Sequence, residues 1–374
     1  MRIAIFHDFL VRMGGAEDVL AVFLKIFPDA DVYSLFVDEK QLRKKFPDLK
    51  VRTNKPSQVK YFFLSHIPFF GKYATKLFLS SRKAIEQFDL SDYDLVIANS
   101  GAWSHGLITS VDTRFVVYMH SPMRFVWDYF QKYKKDLGSD FFNVYLTKKL
   151  SKVRLWDSLA EKRDHLLICN SKTVAQRIKK FYRKEAEIVY PPVRVEDIPF
   201  HLNVPKENYY LIISTLAKYK NIHVAIEYAN KHKVDLIIAG DGPYKKALQK
   251  IAGKTIHFLG FVDTKTKHEL LQKAKAVIYT SEEDFGIVPI EAAAAGTLTL
   301  AYGKGGSRET IIPNQTGILF DQLSLPSFEK GMAELHKLEK AYDANTLREH
   351  SKHFSEQQFT RSIRSLLAKE FNLK

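Results

Sequence analysis

Two carboxylates flank a short turn-like stretch in the segment SEEDFGIVPIE, residues 281–291. Glu283 lies just before Phe-Gly, and Glu291 follows eight positions later, beyond Pro289. An ionised carboxylate only accepts hydrogen bonds and can take both hydroxyls of a vicinal diol, so Glu291 suits a ribose or sugar ring. Gly286 between the acids allows a ligand to approach the backbone of a helix start, where N–H groups bind oxygen atoms. Two acids beside a helix start also complement its dipole, which is the alternative without a ligand.

Lysines and glycines follow other apolar runs. Lys218 and Lys220 lie in STLAKYKN, where an ammonium group can neutralise a diphosphate or simply be solvated. Gly14 and Gly15 open a helical pattern after the first apolar run, and such a turn suits phosphate, although the pattern G-x-G-x-x-G is absent. Gly242 in AGDGP permits close approach of a ligand, and the same letters are also ordinary turn chemistry.

A histidine ends a further apolar run. His120 closes RFVVYMH and precedes Ser-Pro. A histidine there can hydrogen-bond a hydroxyl or move a proton near neutral pH, while a structural histidine bonded to backbone is the alternative. The Asp-x-Asp segments at 29–31 and 92–94 both precede apolar runs, so we interpret them as solvated turns and predict no metal and no other cofactor.

The elements that position these residues alternate between short apolar runs and helical patterns in both halves of the chain. This alternation predicts an α/β protein with two Rossmann-like, doubly wound domains built on parallel sheets, which bind ligands beyond the carboxyl ends of their strands. The Pro-Pro pair in VYPPVRVEDIP indicates the join. We predict an N-terminal acceptor-binding domain over 1–190, a C-terminal nucleotide-sugar-binding domain over 191–354, and a C-terminal helix over 355–374 that packs back on the first domain.

The length, cysteine count and net charge of the chain limit the location and the classes of partner that can be expected. The chain has 374 residues, 45% of them apolar, which is enough for two cores. Its single cysteine and its opening residues, without a secretory pattern, predict a cytosolic protein. The net charge of +15 is concentrated in residues 1–190, which carry +11, so an anionic partner is expected. We predict no nucleic-acid partner, because no nucleic-acid-binding module accompanies the basic residues. The oligomeric state is not predicted.

The region 55–90 interleaves aromatic and basic residues around His66, Pro68 and Lys72. These interruptions exclude a membrane-spanning helix. The region is either a pair of core helices with solvated lysines or an interfacial segment on anionic lipid.

The order of the motifs resembles glycosyltransferase family 4, the retaining nucleotide-sugar transferases of the GT-B fold. The motifs that carry the resemblance are HSPMR, YPPV, AGDGP, FLGFV, EEDFGIVPIEAAAAGT and GGSRET, and they span nearly the whole chain. HSPMRFVWD is similar to bacterial O-antigen mannosyltransferases. The resemblance implies two domains facing across a cleft and a metal-independent, retaining hexosyltransferase. Its implied donor is a nucleoside-diphosphate sugar, with GDP-mannose favoured, and its acceptor is lipid-linked or a polysaccharide.

The same resemblance implies roles for individual residues. Glu291 would bind the donor ribose, and Glu283 would lie near the transferred sugar. Lys220 would bind phosphate oxygens and His120 a sugar hydroxyl, so Glu283, His120 and Lys220 are the candidate catalytic residues. Further donor-side residues are predicted at Gly14, Gly15, Lys218, Gly242, Phe261 beside the base, Phe285, Gly286 and Ile287, and acceptor-side or sugar-side residues at Arg124 and Trp103.

One position departs from the family pattern. Thr215 stands where the family has an arginine, so one phosphate-neutralising charge is missing. Two alternatives to a GDP-mannose transferase therefore stay open: a UDP-sugar transferase of the same fold, and a catalytically weak sugar-nucleotide-binding partner in polysaccharide assembly. The expected location is the cytoplasm, peripheral on the inner face of the cytoplasmic membrane.

Overall fold

The protein consists of two compact units. The computed structural model describes residues 1–11, 13–52, 81–131, 140–163, 165–202 and 204–371. For residues 140–146 it describes the backbone only. One unit comprises Met1–Pro191 with Thr360–Lys374, and the other comprises Pro192–Phe359, so the division falls within the Pro-Pro pair. Each unit is built on a parallel sheet with its own core, which confirms the predicted α/β class.

The sheet of the first unit has the strand order β3-β2-β1-β4-β5-β6-β7. Its strands are β1 (Ile3–Leu10), β2 (Asp31–Val37), β3 (Val51–Arg52), β4 (Leu95–Ser100), β5 (Arg114–Met119), β6 (Leu166–Cys169) and β7 (Glu187–Ile188). All six residues of β4 are buried, as expected for a central strand covered on both faces. The register of β1 on β4 sets His7 opposite Asn99, which brings two polar side chains together at the carboxyl ends of neighbouring strands.

The described helices of the first unit include Gly15–Ile26, Glu39–Lys45, Asp140–Ala160 and Lys172–Tyr182. The first of them buries Val19, Leu20, Val22, Phe23 and Ile26, the apolar face expected from helical spacing. The loop after β4 is held by the buried carboxylate of Asp8, which accepts hydrogen bonds from the backbone N–H groups of residues 101–104. This carboxylate therefore fixes the chain immediately after Asn99.

The sheet of the second unit has the order β10-β9-β8-β11-β12-β13. Its strands are β8 (Tyr209–Ile213), β9 (Asp235–Ala239), β10 (Ile256–Gly260), β11 (Ala276–Tyr279), β12 (Leu298–Tyr302) and β13 (Gly317–Phe320). Its helices include His223–His232, Lys245–Ile251, Thr264–Lys273, Ile287–Ala294, Ser307–Thr310, Leu325–Leu338 and Ala344–Lys352. β8 pairs with β9 on one side and β11 on the other, so the strand order reverses at β8 and β11, where open sheets bind ligands.

The tail forms the predicted helix, Glu356–Phe371. Its first residues belong to the second unit and residues from Thr360 onward to the first. Near its end, the Phe371 ring centroid lies 5.7 Å from the guanidinium carbon of Arg114, at the start of β5. This cation–π contact joins the last turn of the chain to the first sheet.

Within the described ranges, no helix combines the length and the apolar character needed to cross a bilayer. Most of the predicted interfacial segment 55–90 lies outside the described residues, which resume at residue 81.

Candidate donor and acceptor sites

Lys220 and Glu283 form an ion pair at the carboxyl ends of β8 and β11. The Lys220 backbone is held by the Thr280 hydroxyl, which donates to its carbonyl oxygen at 2.6 Å. The Lys220 side chain is 11% exposed and that of Glu283 is 33% exposed, so the ammonium group lies deeper than its partner. Burial lowers the pKa of Lys220 to about 8. The structure thus joins two of the three candidate catalytic residues in one charged pair.

The loop that carries Glu283 is held by the glycines after β12. Gly306 N–H donates to the Glu283 carbonyl oxygen at 2.8 Å. A Cβ atom at Gly305 would overlap the Glu283 carbonyl, and one at Gly306 would overlap the backbone of Phe285. Gly305 also has φ +67°, a conformation that favours glycine. The glycines of GKGGS therefore serve to let one backbone pack directly under another.

Gly286 begins the helix Ile287–Ala294 with φ +92°, and Gly296 with φ +72° ends it. Both ends agree with the prediction from Gly286, Pro289 and Gly296. The Phe285 side chain, in contrast, is 4% exposed and packs on Phe354 with ring centroids 5.5 Å apart. The Phe285 ring is therefore turned into the core, whereas the Ile287 side chain is half-buried.

Glu291 lies on the same helix and is paired with Lys267, whose Nζ donates to Glu291 Oε1 at 2.6 Å. The Glu291 side chain is 14% exposed and Lys267 is 25% exposed. Lys267 belongs to the helix Thr264–Lys273 and was not predicted as a site residue. The sequence gives no signal for Lys267, because it is one of several lysines on its helix. Only the packing of the two helices places it beside Glu291.

Phe261 follows β10 and is 87% exposed, so its ring is available for stacking on a flat ligand. Lys218 and Thr215 are also exposed, on the segment after β8.

The turn at AGDGP packs against the segment after β8. A Cβ atom at Gly242 would overlap the Leu216 carbonyl, and the Leu216 backbone N–H donates to the Asp241 carbonyl oxygen at 2.9 Å. Gly242 is thus required by contact with protein backbone, and its close approach to a ligand stays a prediction.

In the first unit, His120 directly follows β5 and bonds to Asn99. The ring atom His120 Nε2 lies 2.6 Å from Asn99 Oδ1, and the backbone N–H of His120 donates to the Ser100 carbonyl oxygen at 2.8 Å. Asn99 in turn lies 2.9 Å from His7 Nδ1 through its amide nitrogen, and His7 Nε2 lies 3.2 Å from Glu17 Oε1. The sequence predicts His120 but neither Asn99 nor His7, because both lie inside mostly apolar strands and the sequence does not show that their side chains meet.

The Gly14 backbone N–H is already used inside this group, since it donates to Glu17 Oε2 at 2.7 Å. Gly14 is the N-cap residue of the helix that begins at Gly15, and the Glu17 side chain folds back to accept its backbone N–H. The predicted phosphate contact of the Gly14 amide is corrected accordingly, because that donor serves the protein. Burial would raise the pKa of Glu17, but the hydrogen bond with His7, together with the Gly14 amide, holds it below its usual value.

The two predicted sugar-side residues have different environments. Trp103 is fully buried and packs on Trp156 with ring centroids 5.3 Å apart, so the prediction that it contacts a sugar is corrected by its place in the core. Arg124 is half-buried, with its guanidinium 3.8 Å from the Tyr129 ring centroid and its Nε 3.7 Å from Asp128 Oδ2. Arg124 stays a candidate for the sugar side.

Among the residues that the structure describes, no three His, Cys, Asp or Glu side chains are grouped so that they could hold a metal ion.

The candidate site residues form two sets, one on each sheet. Lys220, Glu283, Glu291 and Phe261 lie at the carboxyl edge of the second sheet, and His120 lies at that of the first.

Known proteins with this architecture were compared with the chain. Anabaena Alr3699/HepE in complex with UDP superposes with a TM-score of 0.68 at 18% identity, covering 99% of this chain and 100% of that one. Sucrose-phosphate synthase from Thermosynechococcus elongatus superposes with a TM-score of 0.71 at 15% identity, covering both chains completely. The fold is therefore that of the GT-B glycosyltransferases.

The sequence comparisons narrow this class. Residues 194–358, which lie within the second unit, match the model of the family described as glycosyl transferases group 1. The O-antigen chain mannosyltransferase RfbU of Salmonella typhimurium is 31% identical over 37% of this chain and 42% of its own. The α-1,3/1,6-mannosyltransferase ALG2 of Eremothecium gossypii is 30% identical over 36% of each chain. The chain thus spans less than half the length of these curated relatives, and it resembles O-antigen mannosyltransferases as expected.

Proposed function

We propose that the protein is a glycosyltransferase that moves a hexose from a nucleoside-diphosphate sugar to a lipid-linked or polysaccharide acceptor. The observation that carries the proposal is the Lys220–Glu283 ion pair at the switch point of the second sheet, directly before the glycine-started helix that bears Glu291. This arrangement offers a cation for a diphosphate, backbone N–H groups for oxygen atoms and a carboxylate for a diol. The group 1 family match over residues 194–358 supports it independently.

The donor would be held by the second unit. Glu291 accepts the ribose hydroxyls, and the exposed Phe261 ring lies beside the base. Lys220 exchanges part of its contact with Glu283 for the diphosphate, and the helix start at Gly286 adds backbone donors. These groups stabilise the negative charge that develops on the leaving nucleoside diphosphate, which is electrostatic catalysis.

In the reaction, the bond between the anomeric carbon and the diphosphate oxygen breaks and its electron pair leaves with the diphosphate. The acceptor oxygen then bonds to the anomeric carbon on the same face, and its hydroxyl proton passes to the departing diphosphate oxygen. The configuration is thereby retained without a metal. His120, beside Asn99, hydrogen-bonds a sugar hydroxyl, and Glu283 lies near the transferred sugar.

GDP-mannose is the favoured donor, because the relatives above are named as mannosyltransferases. A UDP-sugar is the second candidate, supported by the UDP and UDP-glucose complexes of Anabaena Alr3699/HepE. Thr215 supports a third possibility, a sugar-nucleotide-binding partner with little turnover, because its exposed hydroxyl cannot replace a guanidinium. For the location we propose the inner face of the cytoplasmic membrane, on the basis of the +11 charge of residues 1–190.

A donor and acceptor panel tests the proposal. Purified protein is incubated with GDP-mannose, UDP-glucose or UDP-galactose and a lipid-linked acceptor, and nucleoside diphosphate release is measured alongside the glycosylated lipid. One donor should give both products in equal amounts, with the anomeric configuration of the donor kept in the product. Nucleotide binding without transfer would favour the binding-partner alternative, and inverted product would contradict the retaining mechanism.

A further inference from the structure

A continuous chain of hydrogen bonds runs through the first unit from Glu17 to His120. Glu17 Oε1 lies 3.2 Å from His7 Nε2, His7 Nδ1 lies 2.9 Å from Asn99 Nδ2, and Asn99 Oδ1 lies 2.6 Å from His120 Nε2. His7 and Asn99 are 3% and 0% exposed, so water does not compete for these bonds. The three side chains behind His120 come from three different elements, β1, β4 and the first helix.

One contact fixes which group donates in every bond of this chain of hydrogen bonds, which we call the relay and which comprises Glu17, His7, Asn99 and His120. Asn99 Nδ2 also lies 2.8 Å from the carbonyl oxygen of Ala16, which can only accept. The amide nitrogen of Asn99 must therefore face Ala16 and His7, and its oxygen must face His120. A carbonyl oxygen needs a donor, so His120 carries its proton on Nε2. His7 Nδ1 accepts from Asn99, which leaves His7 Nε2–H to donate to the Glu17 carboxylate.

All donors in the relay thus point away from His120 and toward one buried carboxylate. The same carboxylate accepts the Gly14 N–H at 2.7 Å, so its charge is fixed by two donors and stays in place. A neutral imidazole with a proton on Nε2 has its lone pair on Nδ1. A hydrogen bond received at Nδ1 makes the imidazole more positive, and the polarised bonds toward the Glu17 carboxylate stabilise that charge, which favours this hydrogen bond.

We propose that Glu17, His7 and Asn99 are positioning residues that hold His120 as its Nε2–H tautomer and present Nδ1 as the acceptor for a hydroxyl of the sugar substrate. The inference rests on the proposed function, because it supplies the hydroxyl that Nδ1 receives. It adds to that function the reason for a histidine here: an orientation fixed by three buried residues, which a solvated strand-end histidine would lack.

The tautomer is read directly by long-range 1H–15N correlation on the full-length protein labelled with 15N-histidine. The His120 signals are assigned by their loss in His120→Gln. We expect Nε2 to show the protonated, pyrrole-like shift and Nδ1 the lone-pair shift in the wild type. In Asn99→Ala we expect a mixture of tautomers. A wild-type His120 protonated on Nδ1 would overturn the proposal.

A second variant keeps the test independent of how well Asn99→Ala folds. Glu17→Gln removes the charge at the end of the relay and should lower the pKa of His120 in an NMR titration. Asp18→Asn is the matched control, because Asp18 is the next residue on the same helix but pairs with Lys45 at 2.8 Å outside the relay. Equal His120 titrations in wild type and Glu17→Gln would refute the role of Glu17.

Turnover separates this inference from the proposed function. With an active donor, Asn99→Ala should lower kcat/KM about tenfold or more, the size expected when one hydrogen bond to a group gaining charge is lost. Affinity for the free nucleoside diphosphate, GDP or UDP, should stay unchanged in the same variant. Unchanged kcat/KM would overturn the relay. Absence of transfer with every donor would overturn the proposed function, while the tautomer measurement would still decide the relay.

Discussion

Lys220 and Glu283 pair with each other although they lie 63 residues apart in the chain, on the segments that follow β8 and β11. The Ser281 hydroxyl donates to the same Glu283 oxygen at 3.1 Å, so the carboxylate has two donors before any ligand is present. A diphosphate entering this place meets a cation that is already oriented. The pair therefore prepares the second unit for an anionic ligand at little cost in reorganisation.

Replacing Lys220 should weaken donor binding. In Lys220→Met the diphosphate loses its charged partner and Glu283 adds an uncompensated negative charge, so we expect at least a tenfold higher Kd for the nucleoside diphosphate, by calorimetry. Lys250→Met, an exposed lysine of the same unit, is the control and should bind as the wild type does. Equal affinity in the two variants would remove Lys220 from the donor site.

Donor affinity should depend on pH through the same residue. Because the pKa of Lys220 is about 8, the ammonium group loses its proton as the pH rises through that value. We expect Kd to increase between pH 8 and pH 9.5, by up to about tenfold per pH unit. Lys220→Arg, which stays charged, should flatten this dependence, and a wild-type Kd that is level across the range would contradict the assignment.

The stability of the fold depends on pH in the opposite direction from donor affinity. The folded-state pKa of Lys220, about 8, lies below the ordinary lysine value of 10.5, so the unfolded chain binds more protons between these values. The contribution of Lys220 to the free energy of unfolding therefore rises with pH across this window. Denaturant titrations of wild type and Lys220→Met at pH 7.5 and 10 measure it as the difference between the two proteins.

Much of this architecture could be predicted because its causes are local. Buried parallel strands are short apolar runs, and Gly286 and Gly296 are needed where the helix Ile287–Ala294 starts and stops. Lys220 and Glu283 were predicted as site residues because they follow strand ends at one sheet edge, but their ion pair was not predicted. These features depend on residues within one element or on the general geometry of parallel sheets.

Side-chain orientation could not be predicted in the same way. Trp103 and Phe285 carry rings that suit a ligand, but tertiary packing buries both of them. His7 and Lys267 gain their roles from partners on other elements, Asn99 and Glu291, that the sequence does not place beside them. Gly14 and Gly242 were expected to face phosphate or ligand, whereas protein groups occupy the Gly14 amide and the space beside Gly242.

The glycine loop after β12 should not tolerate a larger residue. Gly306→Ala would force a Cβ atom into the Phe285 backbone and displace the loop of Glu283. We expect the free energy of unfolding to fall by about 2 kcal/mol. Gly101→Ala is the control, since its Cβ would lie 3.7 Å from Asp8 Oδ2, an ordinary van der Waals contact. Thermal unfolding of both variants decides this; equal stability would mean that the loop can shift.

Lys206 should stabilise the second unit without touching the donor. Its ammonium group donates to Gln272 O and Thr297 Oγ1, each at 2.7 Å, and to Gly296 O at 3.3 Å. Lys206→Met should lower the free energy of unfolding by about 1–3 kcal/mol, because buried carbonyl groups lose their donor.

The control for Lys206→Met is Lys231→Met. Lys231 is 56% exposed and pairs with Glu329 at the surface, so its loss should cost less than about 1 kcal/mol. Denaturant unfolding at pH 7, where the Lys206 ammonium with its pKa of about 8 is charged, compares the two. A Lys206 variant as stable as the Lys231 variant would show that water replaces these bonds.

The most direct test of the donor site is a thermal-shift titration with nucleoside-diphosphate sugars on wild type, Glu291→Gln and Glu349→Gln. Glu349 is an exposed acid of the same unit, paired with Lys352, and serves as the control. A ligand that binds only the folded state raises the apparent Tm. We predict that one nucleotide sugar raises Tm in wild type and Glu349→Gln and that Glu291→Gln needs at least a tenfold higher concentration for the same shift. An undiminished shift in Glu291→Gln would contradict the donor site proposed for this protein.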